Sequence, residues 1–284
     1  MHVEGKSVIL IVNDDLTSSV IFTPLILSDK VYVKLVVFDG KLVSSNEGML
    51  SGAWSLLKKI SKRYWFYQSF LMICYQLASM MPSCLVPSSM LPTLRQACRM
   101  RDIPYITCRD INEEQFVNKI RILIPDELLI RCSQIVRKPL IESVNGAVYC
   151  VHSSLLPSYK GIAAEYHAMV NGEACIGTSI FHVVEKLDAG DVLLQTSMLI
   201  NEGRSHYWHV MQNNRMASNM IINFVKSGRD LNQNFSDLNI AESYFSWPMP
   251  KDMNVFKREG WSLIKFLEVI IVLFSVFIGI KRYK

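Results

Sequence analysis

The sequence predicts an α/β fold, an open sheet of mainly parallel strands with flanking helices, followed by a helical C-terminal extension. Three observations predict it. Short apolar runs of strand length recur along the first 151 residues with helical stretches between them, and a strand, crossover, strand order implies a parallel sheet. About half of the 284 residues are apolar, enough for one full α/β domain with an appendage and too few for two large ones. Past Ile200 the character changes to polar helical sequence and then to linker.

Residues 8–12 (VILIV) read as a buried first strand closed by Asn13, Asp14 and Asp15, and 31–38 alternates like a second strand. The stretch 54–81 is aromatic and apolar but carries Lys, Arg and Gln at intervals. It predicts a large amphipathic helical insertion that packs on the domain or lies on a membrane surface rather than crossing one. After Pro87 and Pro92 come a helix at 94–101 and a short strand at 103–106. A helix at 112–119, acidic in its first turn, leads to strands at 127–130 and 148–151. The catalytic unit is drawn at 1–200, a helical and loop extension at 201–260 and an apolar helix at 261–284. Within 261–280 only Lys265 and Glu268 are charged, so this helix spans a bilayer if both sit near an interface. Otherwise it lies in the interface or packs as a core or dimer-forming helix.

The formal net charge of +5 comes from 30 basic and 25 acidic residues that form no basic block, which speaks against nucleic acid as a partner. Seven cysteines are scattered without a CxxC pair, so neither a metal site nor a disulfide framework is expected. The first apolar run is too short for a signal peptide, and the catalytic part is expected in the cytoplasm, membrane-associated only through its C-terminus.

Chemistry concentrates in two runs. His152 follows the strand at 148–151, at the edge where open parallel sheets bind ligands, and leads into the loop SSLLPSYKG. A second strand, 178–184, runs into EKLDAGD, which brings Asp188 to the same edge if the strands are parallel. An imidazole beside a carboxylate is more easily protonated and can then donate a proton to a developing oxyanion or to a leaving nitrogen. That pair suits acyl transfer from an amide-like donor to an amine, where negative charge grows on oxygen and positive charge on nitrogen. His167 and His182 have no metal-ligand spacing, and His206 and His209 read as surface positions on a helix. Asp14 and Asp15 either meet an amine acceptor or form a solvated loop.

AVYCVHSSLLPSYKG resembles the folate-dependent formyltransferase pattern, in which a strand leads to Asn-x-His-x-Ser-Leu-Leu-Pro, an aromatic, a basic residue and Gly. NGEACIGTSIFHVVEKLDAGDVLLQ is similar to the family's continuation, and LIRCSQIV (129–136) sits where the family's formyl-folate-binding strand ends. The resemblance implies the formyltransferase fold, a Rossmann-like sheet, over about residues 1–200. It implies 10-formyltetrahydrofolate as formyl donor and an amine of a small molecule as acceptor. His152 would be the general acid and oxyanion partner, and Asp188 its electrostatic and water-ordering partner. Gln134, Ile135, Lys186 and Leu187 would belong to the folate pocket. The family's third catalytic residue, an Asn two positions before the His, is Cys150 here. A thiol is a weaker donor than a primary amide, so three readings stand: a slower formyltransferase with another donor in place, a degenerate member that binds folate or partners without turnover, or a thiol nucleophile.

The loop after the first strand, NDDLTSS, has no glycine and two carboxylates, which disfavours a ribonucleotide phosphate there. Residues 201–284 are too short and too apolar for the basic barrel that binds initiator tRNA. A small amine remains, an amino sugar on a nucleotide or lipid carrier being the most suitable. SYFSWPMPKD (243–252) resembles family segments that return over the site, or packs simply onto the domain.

Overall fold

The computed structural model describes residues 6–29, 31–40, 60–86, 90–185, 190–226, 241–278 and 280–281. In chain order these form β1 (Ser7–Val12), α1 (Leu16–Ile26), β2 (Tyr32–Asp39), α2 (Lys62–Met80), β3 (Met90–Leu91), α3 (Leu94–Met100), β4 (Tyr105–Cys108), α4 (Glu114–Leu123), β5 (Glu127–Arg131), α5 (Lys138–Ile141) and β6 (Val148–His152). There follow β7 (Lys160–Gly161), α6 (Ala164–Val170), β8 (Cys175–His182), β9 (Val192–Leu199), α7 (His206–Lys226), β10 (Tyr244–Phe245), α8 (Pro250–Arg258), α9 (Phe266–Ile278) and β11 (Ile280–Lys281).

The main sheet has seven strands in the order β4-β2-β1-β5-β6-β8-β9. Five are parallel, whereas β8 and β9 join antiparallel at one edge. The expected open, mainly parallel sheet is therefore present. The middle one of the five parallel strands is β1, buried along its whole length. Alternation sends Val8, Leu10 and Val12 to one layer, against Phe22 and Leu25 of α1 and Ile221 and Phe224 of α7, and sends Ile9 and Ile11 to the other, against Phe116 and Ile120 of α4. A strand covered on both faces reads as an unbroken apolar run, which is why VILIV shows no alternation in sequence.

The helical insertion is α2; residues 54–59 lie outside the described residues. One face of α2 buries Tyr64, Tyr67, Leu71 and Cys74 against α6, α8 and α9. The C-terminal helix does not fit the bilayer-spanning alternative. Helix α9 starts at Phe266, and its 13 residues rise about 20 Å against the roughly 30 Å of a bilayer core. Among the described residues no helix is long and apolar enough to cross a membrane. The physical reason lies at its first turn. Glu268 accepts bonds from Lys265 N at 2.7 Å and Ser205 Oγ at 2.5 Å, and Val272 is buried in the cluster that includes Tyr64 and Tyr67 of α2, so the helix is docked on the domain.

His206 and His209 are also corrected. Both are buried on α7 rather than exposed. His206 sits among Tyr64, Tyr67, Tyr166 and Phe256, and burial, with His209 and His167 nearby, lowers its pKa to about 3. His209 donates from Nδ1 to Ser205 O at 2.8 Å and accepts from Asn201 N at Nε2 at 2.9 Å, so it is a neutral core residue.

Candidate active site

Strand β6 delivers its last residue, His152, to the carboxyl edge of the parallel strands. Alternation puts Cys150 and His152 on one face of the strand, both half-buried, and Cys150 is opposite Ile130 of β5. Cys150 is in no disulfide. The His152 Nε2 lies 3.3 Å from the Tyr159 carbonyl oxygen, which can only accept, so the bond places a proton on Nε2.

The loop after His152 is fixed from two sides. On the sheet side, Ser179 Oγ donates to Ser154 O at 2.6 Å and accepts from Leu156 N at 3.1 Å, while Gln195 Nε2 donates to Leu156 O at 2.9 Å. On the other side the segment around β10 runs parallel to β7 and clasps the loop. Tyr159 N donates to Ser243 Oγ, Lys160 N to Ser243 O and Ile162 N to Phe245 O, at 2.8, 2.9 and 2.9 Å. Lys160 pairs with Glu242 at 2.7 Å, and the Tyr159 and Phe245 rings stack at 5.0 Å. The expected return of 243–252 is therefore a brace on the His152 loop. His167 belongs to it, since its Nε2 donates to Ser246 O at 2.8 Å, and burial lowers its pKa. Gly161, at φ 92°, is required there because a Cβ would run into the Phe245 carbonyl oxygen.

Asp188, Lys186 and Leu187 lie outside the described residues. The route by which Asp188 was to reach His152 nonetheless needs correction. Strand β8 is antiparallel to β6, pairing His152 with Ser179 and Tyr149 with His182, so β8 ends beside the start of β6 rather than beyond His152. The described flanks stay there: Val183 N bonds to Val148 O and His182 N to Asp191 O, at 2.8 and 3.0 Å. Parallel strand ends are therefore not what relates this turn to His152.

At the end of β5, Gln134 is buried and its amide is used by the fold. It donates to Asp39 Oδ1 at 2.7 Å and accepts from Ile111 N at 3.3 Å. The Ile135 carbonyl accepts from Asn112 Nδ2 at 2.9 Å, while its side chain is 53% exposed. Val184 is likewise exposed. Toward a formyl-folate these residues fit in part. Ile135 and Val184 offer apolar surface for a flat ring to cover, and the Ile135 carbonyl keeps a second lone pair, whereas the buried Gln134 amide already spends one N–H and its oxygen on the fold.

Asp14 and Asp15 serve the fold. Asp15 caps α1, accepting from Ser18 N at 2.7 Å and Thr17 Oγ1 at 2.8 Å. Asp14 pairs with Arg95 at 2.6 Å and accepts from the Tyr75 hydroxyl at 3.0 Å, and Arg95 lies over the Phe38 ring. Burial and the Asp14 carboxylate push the Tyr75 phenol well above its ordinary range.

Sequence reading missed a buried polar network beside His152. Arg131, the last residue of β5, donates from Nη1 to Ser153 Oγ at 2.8 Å. Glu165 of α6 is buried; it accepts from Asn213 Nδ2 at 3.1 Å, and Asn213 Oδ1 accepts from Thr178 Oγ1 at 3.1 Å. Burial raises the Glu165 pKa, opposed by the charge of Arg131 and by bonds from Asn213 and Ser153. The signal was a single charge inside each of two apolar runs, LLIRC and AAEYHAM. The network borders a cavity of about 180 Å³ behind the His152 loop.

A mainly parallel sheet with a histidine at the carboxyl end of an inner strand defines an α/β protein that builds its site on strand ends. Residues 92–222 match the formyl transferase family. This segment is therefore similar to formyl transferases, in line with the resemblance read from HSSLLPSYKG. The methionyl-tRNA formyltransferase of Ureaplasma urealyticum is 34% identical over 111 residues, 38% of this chain and 35% of that protein. The chain thus spans about a third of the length of the curated relatives it matches. The phosphoribosylglycinamide formyltransferase structures from Bacillus halodurans and Anaplasma phagocytophilum share the fold. They superpose over 81% and 86% of this chain and 98% and 99% of their own, with TM-scores of 0.54 each and 14% and 13% identity.

Proposed function

We propose that the protein transfers the formyl group of 10-formyltetrahydrofolate to the amine of a small acceptor, an amino sugar being the most suitable class. The observation that carries this reading is His152, half-buried at the end of β6 inside the matched segment, with its loop braced on both sides. The donor supplies an activated formyl carbon, which the acceptor nitrogen attacks. Protonated His152 donates to the oxyanion or to the leaving nitrogen, and Asp188 favours that protonated form and orders the water that carries the acceptor's proton away. Cys150 is the weak point, since a single thiol donor replaces an amide.

The acceptor is argued from what the strand ends offer. Asp14 and Asp15 put two carboxylates after β1, each engaged with its own fold partners, and this supports a small amine over a ribonucleotide phosphate. The charge distribution supports an acceptor other than nucleic acid, and the catalytic part is placed in the cytoplasm. The test incubates the full chain with 10-formyltetrahydrofolate and a panel of amino sugars and follows tetrahydrofolate release with the formylated product. Release with at least one sugar is expected. Folate binding without release for any acceptor overturns the reading in favour of a degenerate, folate-binding member, which Cys150 makes the second choice.

A further inference from the structure

Helix α2 has two apolar faces. The inner one, with Tyr64, Tyr67, Leu71 and Cys74, packs on the domain. On the opposite side Phe66, Ile73, Leu77 and Met80 follow one another at intervals of seven, four and three, and each is between 52% and 80% exposed. That spacing puts them on one stripe, about 21 Å long at the helical rise. A helix packed on a core ordinarily turns polar residues to water, whereas here the outer face is apolar as well. Single exposed apolar residues are common on any surface, but a contiguous row marks a surface that something covers. Helix α9 packs beside α2 and adds exposed Phe266, Leu267 and Ile271.

Charge identifies what covers it. Between Glu47 and Asp102 the sequence has no acidic residue and seven basic ones, four of them in KKISKR (58–63) at the start of α2. Lys62 and Arg63 are exposed in the first turn, and the half-exposed Trp65 meets the Phe66 ring edge-on at 5.2 Å. Neighbouring helices do not cancel this charge. Helix α8 carries Lys251, Lys257 and Arg258 against Asp252, with Glu259 just past its end beside Arg258, and the Glu268 carboxylate of α9 is bonded to Ser205 and to Lys265 N. An apolar helix face with basic and aromatic residues at one end matches the interface of an anionic bilayer, where cations reach the headgroups and apolar side chains enter the acyl boundary. The same face of a second copy would offer these cations no acidic partner, since α2 has none.

We propose that the outer face of α2 seats the protein on the surface of a bilayer rich in anionic lipid, with Lys62 and Arg63 at the headgroups and Phe66, Ile73, Leu77 and Met80 toward the acyl chains. The helix lies along the surface rather than across it, because its inner face stays packed on the domain. This binding is independent of formyl transfer and stands or falls separately from it.

Co-sedimentation of the full chain with lipid vesicles tests it. Binding to mixed phosphatidylserine–phosphatidylcholine vesicles is expected to be at least about tenfold tighter than to phosphatidylcholine alone, and to weaken as salt is added. Ile73→Gln with Leu77→Gln replaces two exposed residues by a good helix former, so the melting temperature should hold while binding falls about a hundredfold. Lys62→Gln with Arg63→Gln should weaken binding about thirtyfold, at about fivefold for each charge. Equal binding to the two lipid mixtures, binding to neither, or binding unchanged in either double variant overturns the proposal. So does a dimer in solution that the Ile73→Gln, Leu77→Gln variant converts to monomer, which assigns the face to a second copy.

Discussion

The loops at the ends of β1 and β6 look alike in sequence and behave differently in the fold. Each follows a buried parallel strand, and each is rich in side chains that hold or transfer protons. After β1, Asp15 is spent on capping α1, and Asp14 on Arg95 and Tyr75. After β6, the loop is held chiefly through backbone groups and through side chains brought by β8, β9 and the β10 segment. His152 is thereby left half-buried, and Ser154 Oγ unspent, beside a cavity. Polar residues at a strand end mark a site only when neighbouring elements provide the bonds that hold the loop.

The predictions test this contrast. The largest effect is expected from His152→Ala, which should lower kcat/KM for formyl transfer by about 10²–10⁴-fold with folate binding retained. A rate within a few-fold of wild type would mean that the β6 end is not the reacting end. Cys150→Asn restores a two-donor amide, and the rate should rise by about 10–100-fold if the thiol is only a poor donor. Loss of all activity in that variant would assign the thiol a nucleophilic role.

A contrast between histidines comes next. His206 has a folded pKa of about 3 against about 6.5 unfolded, so the unfolded chain binds the extra proton between those values and stability falls as pH falls through that window. Lowering the pH from 7 to 5 should cost about 2 kcal/mol from this residue. Denaturant titrations at the two pH values should show a smaller loss in His206→Phe. At the β1 end the effects should be on stability rather than turnover. Asp14→Ala leaves Arg95 and the Tyr75 hydroxyl without their acceptor and should cost about 1–3 kcal/mol. Asp15→Ala removes an N-cap and should cost about 1 kcal/mol. A loss of activity in either aspartate variant, with the melting temperature preserved, would turn the comparison around and place an acceptor contact there.

The parallel sheet was legible because each inner strand is covered on both faces. VILIV, ELLI and VYCV are short runs that only a buried strand between helices accommodates. The site was legible where it is local, since His152 lies at the end of its own strand and HSSLLPSYKG is one uninterrupted run. Sequence and structure part where distance along the chain decides. Asp188 reaches the His152 edge only if the strands are parallel, but the short connection through α6 returns β8 antiparallel. The polar neighbours of His206 and His209 predict a surface helix, and only the packing of α7 among α2, α6 and α8 buries them. For the apolar tail the sequence leaves spanning, interfacial and packed alternatives open, and the Glu268–Ser205 bond with buried Val272 docks the helix on the domain.

By itself, then, the sequence determined the α/β class, the inner strands, the strand-end histidine and the cysteine two residues before it. Each of these depends on the chemistry of a contiguous run. Tertiary structure decided the fate of the charges. Asp14 and Asp15 became structural, while Arg131, Glu165 and Asn213, 34 and 48 positions apart, met beside Ser153. A carboxylate's role depends on which donors the fold brings within about 3 Å of it, and that proximity is written in no local pattern.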